Sequence, residues 1–578
     1  MRITFIPRCA ALTLPLTVAA ISCLTLAACS QPDPRNGAGS SGATPAAAVT
    51  AAPIPQGLES FYTQDVDWEE CEGDADYQCA MVKVPLDYDD PTGQAIDLSL
   101  KKSPATDTNK IGTLFVNPGG PGGSGVELVG QGADAFSDDL RAHFDIIGFD
   151  PRGVGESTPL VCLSEEEIND AVESRVAGED EGGSGDASPS NDDEEEAAAE
   201  SAQASIAFGE ELAASCEANS PVPGIIDHMD TGSVARDLDV LRGLAGDPQL
   251  YYFGTSYGTY LGARYADMFP ANVARMVLDS AQDPSLTHGQ LEADQAVSLE
   301  QSLRHYVEFC QSGEECPLSG DVDAGMAQIQ ALIERANISP LKAGDNGETI
   351  TGTEISNVVG QLLYDDSVWG ALHAAFTLAI NEGDGSVFKL LGEVLADPPE
   401  EDTDANPTKT AEAAVKNEAN EPAMRAIDCL DYPVSGDQAE WDREAATTKE
   451  VAPVLGEGLS YGDAFCQGWG HNSDNQPAQL HAQGAAPILV IGITGDPATP
   501  YKWAEALASQ LESGQLLTVN GNGHGAYLRK GECVDSAVDA YLLRGELIEE
   551  GLTCEAPTEL VDVDAEDVQE ETPGSGGR

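Results

Sequence analysis

The sequence predicts an α/β fold: a mostly parallel central sheet with helices on both faces and a large, mainly helical inserted cap. Three observations carry that expectation. Apolar, strand-like runs alternate with segments of helical spacing. The alternation breaks between about Asp283 and Gly484 and then resumes. A serine, an aspartate and a histidine each follow one of the strand-like runs, in that order along the chain.

The N-terminus reads MRITFIPRCAALTLPLTVAAISCLTLAACS. Arg2 and Arg8 precede an uncharged apolar stretch that ends in Leu26-Ala27-Ala28-Cys29, a secretory signal by pattern over residues 1–28. The Leu-Ala-Ala-Cys ending resembles the lipobox of bacterial lipoproteins, which implies cleavage before Cys29 and a lipid on its thiol. The alternative is an uncleaved anchor, since the run is nearly long enough to span a membrane. Both readings place the folded part outside the cytoplasm, in the cell envelope or released to the medium. Residues 29–57 are rich in Ala, Gly, Pro and Ser and read as a flexible tether.

A 578-residue chain with 41% hydrophobic residues can bury one large core plus an insertion. Its formal net charge of -71 opposes nucleic acid as a partner and is explained most simply by solubility. Of 13 cysteines, Cys9 and Cys23 lie in the signal and Cys29 is the lipid site, so ten remain. An even number in an exported chain points to disulfides. Neighbours in sequence suggest Cys71–Cys79, Cys162–Cys216, Cys310–Cys316, Cys429–Cys466 and Cys533–Cys554. No Cys-x-x-Cys pair offers a zinc site, and no metal or organic cofactor is implied.

Residues 58–282 form the first part of the expected core. GTLFVNPGG is a strand running into a glycine loop, FDIIGFDPRGVGES a strand and turn, and DTGSVARDLDVLRGLAG a helix. LYYFG, YGTYLGARYADMFP and VARMVLDS follow as strand, helix and strand. An acidic, apolar-poor insert over about 164–205 is expected to be disordered. Its base would be closed by a Cys162–Cys216 bridge. Residues 283–484 form the helical cap, exemplified by LEADQAVSLEQSLRHYVEFC and VWGALHAAFTLAI. The segment DPPEEDTDANPTKTAEAAVKNEANEP reads as a mobile loop within it. Residues 485–554 return to the core with the strand of APILVIGITGDPATP, the helix YKWAEALASQLES, the strand and loop of GQLLTVNGNGHG, and the helix CVDSAVDAYLLRG. Residues 555–578 read as an acidic disordered tail.

Gly254-Thr255-Ser256-Tyr257-Gly258 fits Gly-x-Ser-x-Gly. A nucleophile at the tip of a sharp strand-to-helix turn needs strained backbone angles, and flanking glycines let strand and helix approach closely. A plain glycine-rich bend would look the same in isolation. The context favours a nucleophile, because a strand precedes Ser256 and a helix, with its positive N-terminal end, follows it. A serine hydroxyl needs a base, and the base needs an orienting group. Of eight histidines, His524 in GNGHGAY alone follows a strand in a glycine-flanked loop. Asp496, in GITGDPATP, ends the strand-like run before it; a turn-forming role ahead of Pro497 is compatible with orienting the imidazole. Thr499 is placed to support that carboxylate. The order Ser256, Asp496, His524 is that of α/β-hydrolases. Asn117–Gly125, NPGGPGGSG, follows the strand GTLFV, where glycines allow backbone N–H groups close to a substrate carbonyl. The expected oxyanion donors are the N–H of Tyr257 and that of Gly119 or Gly120. The loop lacks the Gly-Lys-Ser/Thr ending of a phosphate loop.

NPGGPGGSG, FDPRGVGEST, GTSYGTYLGARYADMFP, GDPATP and GHGAY, in this order, resemble the secreted tripeptidyl aminopeptidase branch of the α/β-hydrolases found in actinobacteria. These are serine exopeptidases related to proline iminopeptidases. CVDSAVDAYLLRGELIEEGLTC resembles that branch's C-terminal module. The resemblance runs from about Trp68 to Cys554 and implies cleavage of short units from peptides with a free N-terminus. Such an enzyme must hold an ammonium group, and desolvated cap carboxylates would do so. Asp428, Asp431 and Glu421, in EPAMRAIDCLDYP, are the candidates. An esterase or lipase with the same triad is the nearest alternative. A non-catalytic envelope binding protein is a more distant one.

Overall fold

The computed structural model describes residues 53–557 apart from 133–134, 165–166, 170–201, 314, 345–346, 397–420, 457 and 473–474. The signal, Cys29, most of the tether and of the acidic insert, and the tail beyond Pro557 therefore lie outside the described residues.

Strands that are apolar at every position need cover on both faces, and GTLFVN is buried at all six of its positions. The described strands are β1 (Glu69–Cys71), β2 (Asp74–Pro85), β3 (Ala95–Ser103), β4 (Gly112–Asn117), β5 (Phe144–Phe149), β6 (Leu250–Thr255), β7 (Val273–Asp279), β8 (Leu341–Lys342), β9 (Thr349–Ile350), β10 (Ile488–Gly495), β11 (Gly514–Asn522) and β12 (Thr553–Glu555). Ten of them make one sheet in the order β1-β2-β3-β5-β4-β6-β7-β10-β11-β12. From β5 to β12 every pairing is parallel, whereas β1, β2 and β3 pair antiparallel with their neighbours. The antiparallel edge is absent from the sequence reading, which began its strands at GTLFV. Its strand β2 alternates exposed and buried positions toward its C-terminal end, as a half-covered edge does.

Helices Thr231–Ala245, Tyr257–Met268 and Tyr501–Gln510 contribute Leu238, Leu241, Leu261, Tyr265 and Leu507 to one buried cluster. Gly125–Gly130, Asp138–His143 and Glu532–Arg544 contribute Val129, Leu140 and Val538 to another. Between β7 and β10 the chain is mainly helical, with a separate apolar cluster built around Tyr306, Ile329, Trp369 and Phe376. The β8–β9 pair is the only antiparallel pair among its described residues.

Two boundaries move. Residues 202–205, assigned to the acidic insert, begin the helix Ala202–Asn219, because Ala202 is fully buried with Trp441 and Ala464. Glu555, assigned to the tail, ends β12, and Ala556 N–H donates to Asn520 O at 2.9 Å. Parallel pairing with β11 extends order to that point.

Five disulfides join Cys71–Cys79, Cys162–Cys216, Cys310–Cys316, Cys429–Cys466 and Cys533–Cys554. Each constrains the unfolded chain, with more effect for longer loops.

The Arg of FDPRGVG proves structural. Arg152 is fully buried and forks onto Asp237, with Nε and an Nη donating at 2.8 and 2.7 Å. It also donates to the carbonyls of Pro85, Leu86 and His228, and Tyr88 OH donates to Asp237 at 2.7 Å. Removing one partner of such a pair strands the other charge. Asp237→Ala is therefore expected to lower the unfolding free energy by about 3–5 kcal/mol, read as a shift in denaturant midpoint.

Candidate active site

At the end of β6 the chain turns sharply into the helix Tyr257–Met268. Ser256 occupies the turn with φ 57° and ψ -127°. A non-glycine residue at positive φ is strained and persists only where its surroundings hold it. Steric reasons for the flanking glycines are explicit. A Cβ on Gly254 would lie 2.4 Å from Gly258 O, and one on Gly258 would lie 2.7 Å from Asn117 O. The serine remains partly exposed.

The acid and the histidine sit on neighbouring strand ends, since β10 pairs with β11. His524 Nδ1 lies 2.9 and 3.0 Å from the two Asp496 carboxylate oxygens. Asp496 is 1% exposed and also accepts from Ala498 N–H, Thr499 N–H and the Thr499 hydroxyl, at 2.9, 2.9 and 3.0 Å. Thr499 thus supports the carboxylate. With Nδ1 donating to Asp496, Nε2 is the ring nitrogen left to take a proton. Burial disfavours the imidazolium, but the Asp496 carboxylate outweighs it and holds His524 above the ordinary histidine value.

Asp279, at the end of β7, joins these parts. Its carbonyl accepts from Ser256 N–H at 3.0 Å. Its carboxylate accepts from Ala526 N–H at 2.9 Å and from Tyr527 N–H at 3.0 Å, just past His524. Ser280 Oγ accepts from Gly525 N–H at 2.9 Å. Burial pushes the Asp279 carboxyl up, against the backbone N–H groups that favour its charged form. In the sequence, only the Asp-Ser that closes an apolar strand-like run after the Ser256 segment signals this residue.

The glycine loop packs on the elbow. A Cβ on Gly119 (φ 102°) would lie 2.8 Å from Ser256 Cβ and 3.1 Å from Tyr257 N. Of the expected donors, Gly119 N–H is already taken, donating to Asn117 Oδ1 at 3.0 Å. Gly120 and Tyr257 N–H have no protein acceptor among the described residues. That leaves Gly120 and Tyr257 as the candidate oxyanion donors.

The three expected cap carboxylates separate. Asp431 is committed elsewhere: it accepts from Thr231 N–H at 2.9 Å and from its hydroxyl at 2.5 Å, and Thr231 Oγ1 in turn meets Tyr257 OH. The Glu421 side chain lies outside the described residues. Asp428 is partly exposed, and burial pushes its carboxyl up to about 6 against the nearby His288 and Arg425 charges. Helix Glu421–Asp431 reaches the oxyanion loop, since a Cβ on Gly122 would lie 3.5 Å from Met424 N.

Around Asp428 the structure assembles residues the sequence did not single out. His288 Nδ1 is 3.6 Å from Asp463 Oδ1, too long for a hydrogen bond, and both atoms are buried without a hydrogen-bond partner. Glu292 Oε1 accepts from Gly462 N–H at 3.1 Å. Burial works against the His288 cation, but Asp463, Glu292 and Asp428 push it up to about 9. The cluster connects to the elbow. His288 stacks on Tyr432 at 5.4 Å, Gln282 Nε2 donates to Tyr432 OH, Gln282 N–H donates to Thr259 Oγ1, and Thr259 Oγ1 donates to Ser256 O.

Comparison with known proteins agrees with this architecture. Residues 112–323 match the family model for the alpha/beta hydrolase fold, and residues 452–554 match that for TAP-like protein. Serine protease Hip1 of Mycobacterium tuberculosis is 30% identical over 505 residues, covering 85% of this chain and 91% of that protein. Tripeptidyl aminopeptidase of Streptomyces lividans is 30% identical, covering 85% and 86%. Carboxylesterase B of M. tuberculosis is 34% identical, covering 82% and 86%.

Replacing Asp279 with Ala removes the acceptors that seat the His524 loop. We expect kcat to fall about 100-fold, the order caused by a 1 Å misplacement, with the five disulfides intact by mass spectrometry under non-reducing conditions.

Proposed function

The chain belongs to the tripeptidyl-aminopeptidase-like family of α/β-hydrolases, a group of serine hydrolases, and from that premise we propose that it is an exported serine exopeptidase. It cleaves short tripeptidyl, aminoacyl or prolyl units from peptides with a free N-terminus. The observation that carries this reading is the partly exposed Asp428, set beside Glu292 and His288, with His288 linked by stacking and hydrogen bonds to the nucleophile helix. The three carboxylates of this cluster, Asp428, Glu292 and Asp463, outnumber the His288 and Arg425 cations beside them, and the remaining negative charge suits a peptide ammonium.

The proposed chemistry uses Ser256, Asp496 and His524 as a triad, supported by the His524–Asp496 contact. His524 Nε2 takes the Ser256 proton as Oγ attacks the scissile carbonyl. The N–H groups of Tyr257 and Gly120 stabilise the oxyanion, and the start of the helix adds positive potential there. On collapse, His524 protonates the departing amine, and an acyl group stays on Ser256. Water, deprotonated by His524, then hydrolyses the acyl-enzyme. Asp496 remains ionised throughout, orienting the ring and stabilising its cation. Asp428 receives the substrate ammonium through a charge-assisted hydrogen bond, with Glu292 adding negative charge beside it. The reach from that cluster to Ser256 sets how many residues are released.

Export and a lipid at Cys29 belong to the same proposal. Arg2, Arg8 and the Leu26–Cys29 ending support them, as do five disulfides, which persist in oxidising compartments. Esterase activity is the second reading, favoured by the 34% identical relative named carboxylesterase B.

Ser256→Ala is expected to lower kcat by about 10⁶-fold, as loss of a triad nucleophile does; wild-type turnover in that variant would refute the mechanism. Asp428→Asn should raise KM for free-N-terminal peptide anilides about 10–100-fold, the worth of one charge-assisted hydrogen bond. Turnover of short acyl esters should stay unchanged. Acetylated peptides should resist the wild type, as mass spectrometry of products will show. Because His524 must be neutral to act as base and is held above its ordinary value, kcat/KM should fall as pH drops, with its acid limb above about 6.5.

A further inference from the structure

Asp279 holds the His524 loop from the core, and a second set of contacts holds it from the cap. His524 N–H donates to Tyr364 O at 2.7 Å, and the Tyr364 ring meets the imidazole edge to face at 5.3 Å. Two residues on, Asp366 Oδ1 accepts from Lys530 Nζ at 2.6 Å. The Lys530 side chain is 4% exposed. Gly523 lies between these groups. A Cβ there would sit 2.9 Å from Tyr364 O and 3.0 Å from Lys530 Nζ, so the cap turn rests directly on the loop.

The long cap helix His288–Ser312 adds to the clamp. Gln295, Ser298 and His305 recur at helical spacing on one face. Gln295 Nε2 donates to Ala498 O at 3.1 Å, and Ser298 Oγ to Asp496 O at 2.6 Å. His305 Nδ1 lies 2.8 Å from Asn522 Oδ1. The cap therefore touches both the acid loop and the histidine loop through polar contacts, not only the substrate entrance. A buried ammonium is costly unless it is paired. With the cap turn seated, Lys530 meets the Asp366 carboxylate.

We infer that Asp366 and Lys530 are positioning residues: their ion pair seats the cap turn on the His524 loop and so sets the imidazole against Asp496. The inference rests on the triad reading given above. Its consequence is that docking of the cap is a condition of catalytic alignment, besides being a filter on substrate. Without the pair, the loop keeps Asp279 but the cap turn that carries Tyr364 loses its charged anchor, and small displacements of a catalytic group cost large factors in rate.

The test uses the full-length enzyme, with active sites counted by fluorophosphonate labelling. In D366N we expect kcat per labelled site to fall at least about 10-fold while KM stays within about 2-fold. The charged groups facing His524 are Asp496, Asp279 and Arg529, with Asp365, Asp366 and Lys530 behind the loop. A ring misaligned with Asp496 loses the carboxylate that raises it, so the acid limb of kcat/KM should move to lower pH. Lys530→Met should reproduce both effects, and Lys530→Arg should restore most of kcat. Counting labelled sites separates misalignment from incomplete folding, and where D366N does not fold, the Lys530 variants decide. Wild-type kcat per site with an unmoved acid limb would overturn the inference. Failure of the underlying triad reading would look different, as absence of Ser256 labelling in the wild type.

Discussion

The buried carboxylate of Asp279 is the constraint on which the site depends. Ser256, Asp496 and His524 follow three different strands, and nothing in their local sequences sets the distances between them. Asp279 lies on β7, between the nucleophile strand β6 and the acid strand β10. Through its carbonyl it fixes Ser256 N–H, and through its carboxylate the residues after His524. A desolvated carboxylate is tolerated only because backbone donors surround it. The same requirement keeps the His524 loop in one place. Energy spent on burying the charge is thus recovered as alignment, and the strained angles of Ser256 persist because both neighbours are held.

The cap carries the second layer of organisation. Its apolar cluster around Tyr306, Trp369 and Phe376 is separate from the sheet's clusters, so it has a core of its own. It meets the catalytic loops through polar side chains and the ion pair of the buried Lys530 with Asp366. Such contacts are directional, and they define a register more sharply than apolar packing does. On its other side the cap brings Asp428, Glu292, Asp463 and His288 together near the nucleophile helix. In a chain with 99 acidic residues, what distinguishes these carboxylates is desolvation and neighbours, not their sign.

Much of this was readable before any coordinates. The parallel strands from β4 to β11 were legible because they carry apolar runs, whereas the three-residue β12 was not. Ser256, Asp496 and His524 were legible because each follows such a strand and the glycine patterns mark tight turns. The antiparallel edge β1–β3 was not, since half-exposed strands carry a weaker signal. Asp428 could be named from its segment, but Asp431 could not be separated from it, because its partner Thr231 lies 200 residues away. Glu292, Asp463 and His288 gave no signal at all; His288 and Glu292 share one helix, and Asp463 lies on another far along the chain.

Local steric and periodic rules therefore specify the strands, the elbow and the order of the triad, because those rules act over a few residues. Contacts across the fold are different in kind. Which glycine N–H is left to donate depends on Asn117 beside Gly119. Which carboxylate stays available depends on Thr231. The seating of His524 depends on Asp279 from the sheet and on Tyr364, Asp366 and Lys530 where cap meets core. Each is a hydrogen bond or ion pair between groups distant in sequence or set by loop geometry, and these exist only once the chain has packed.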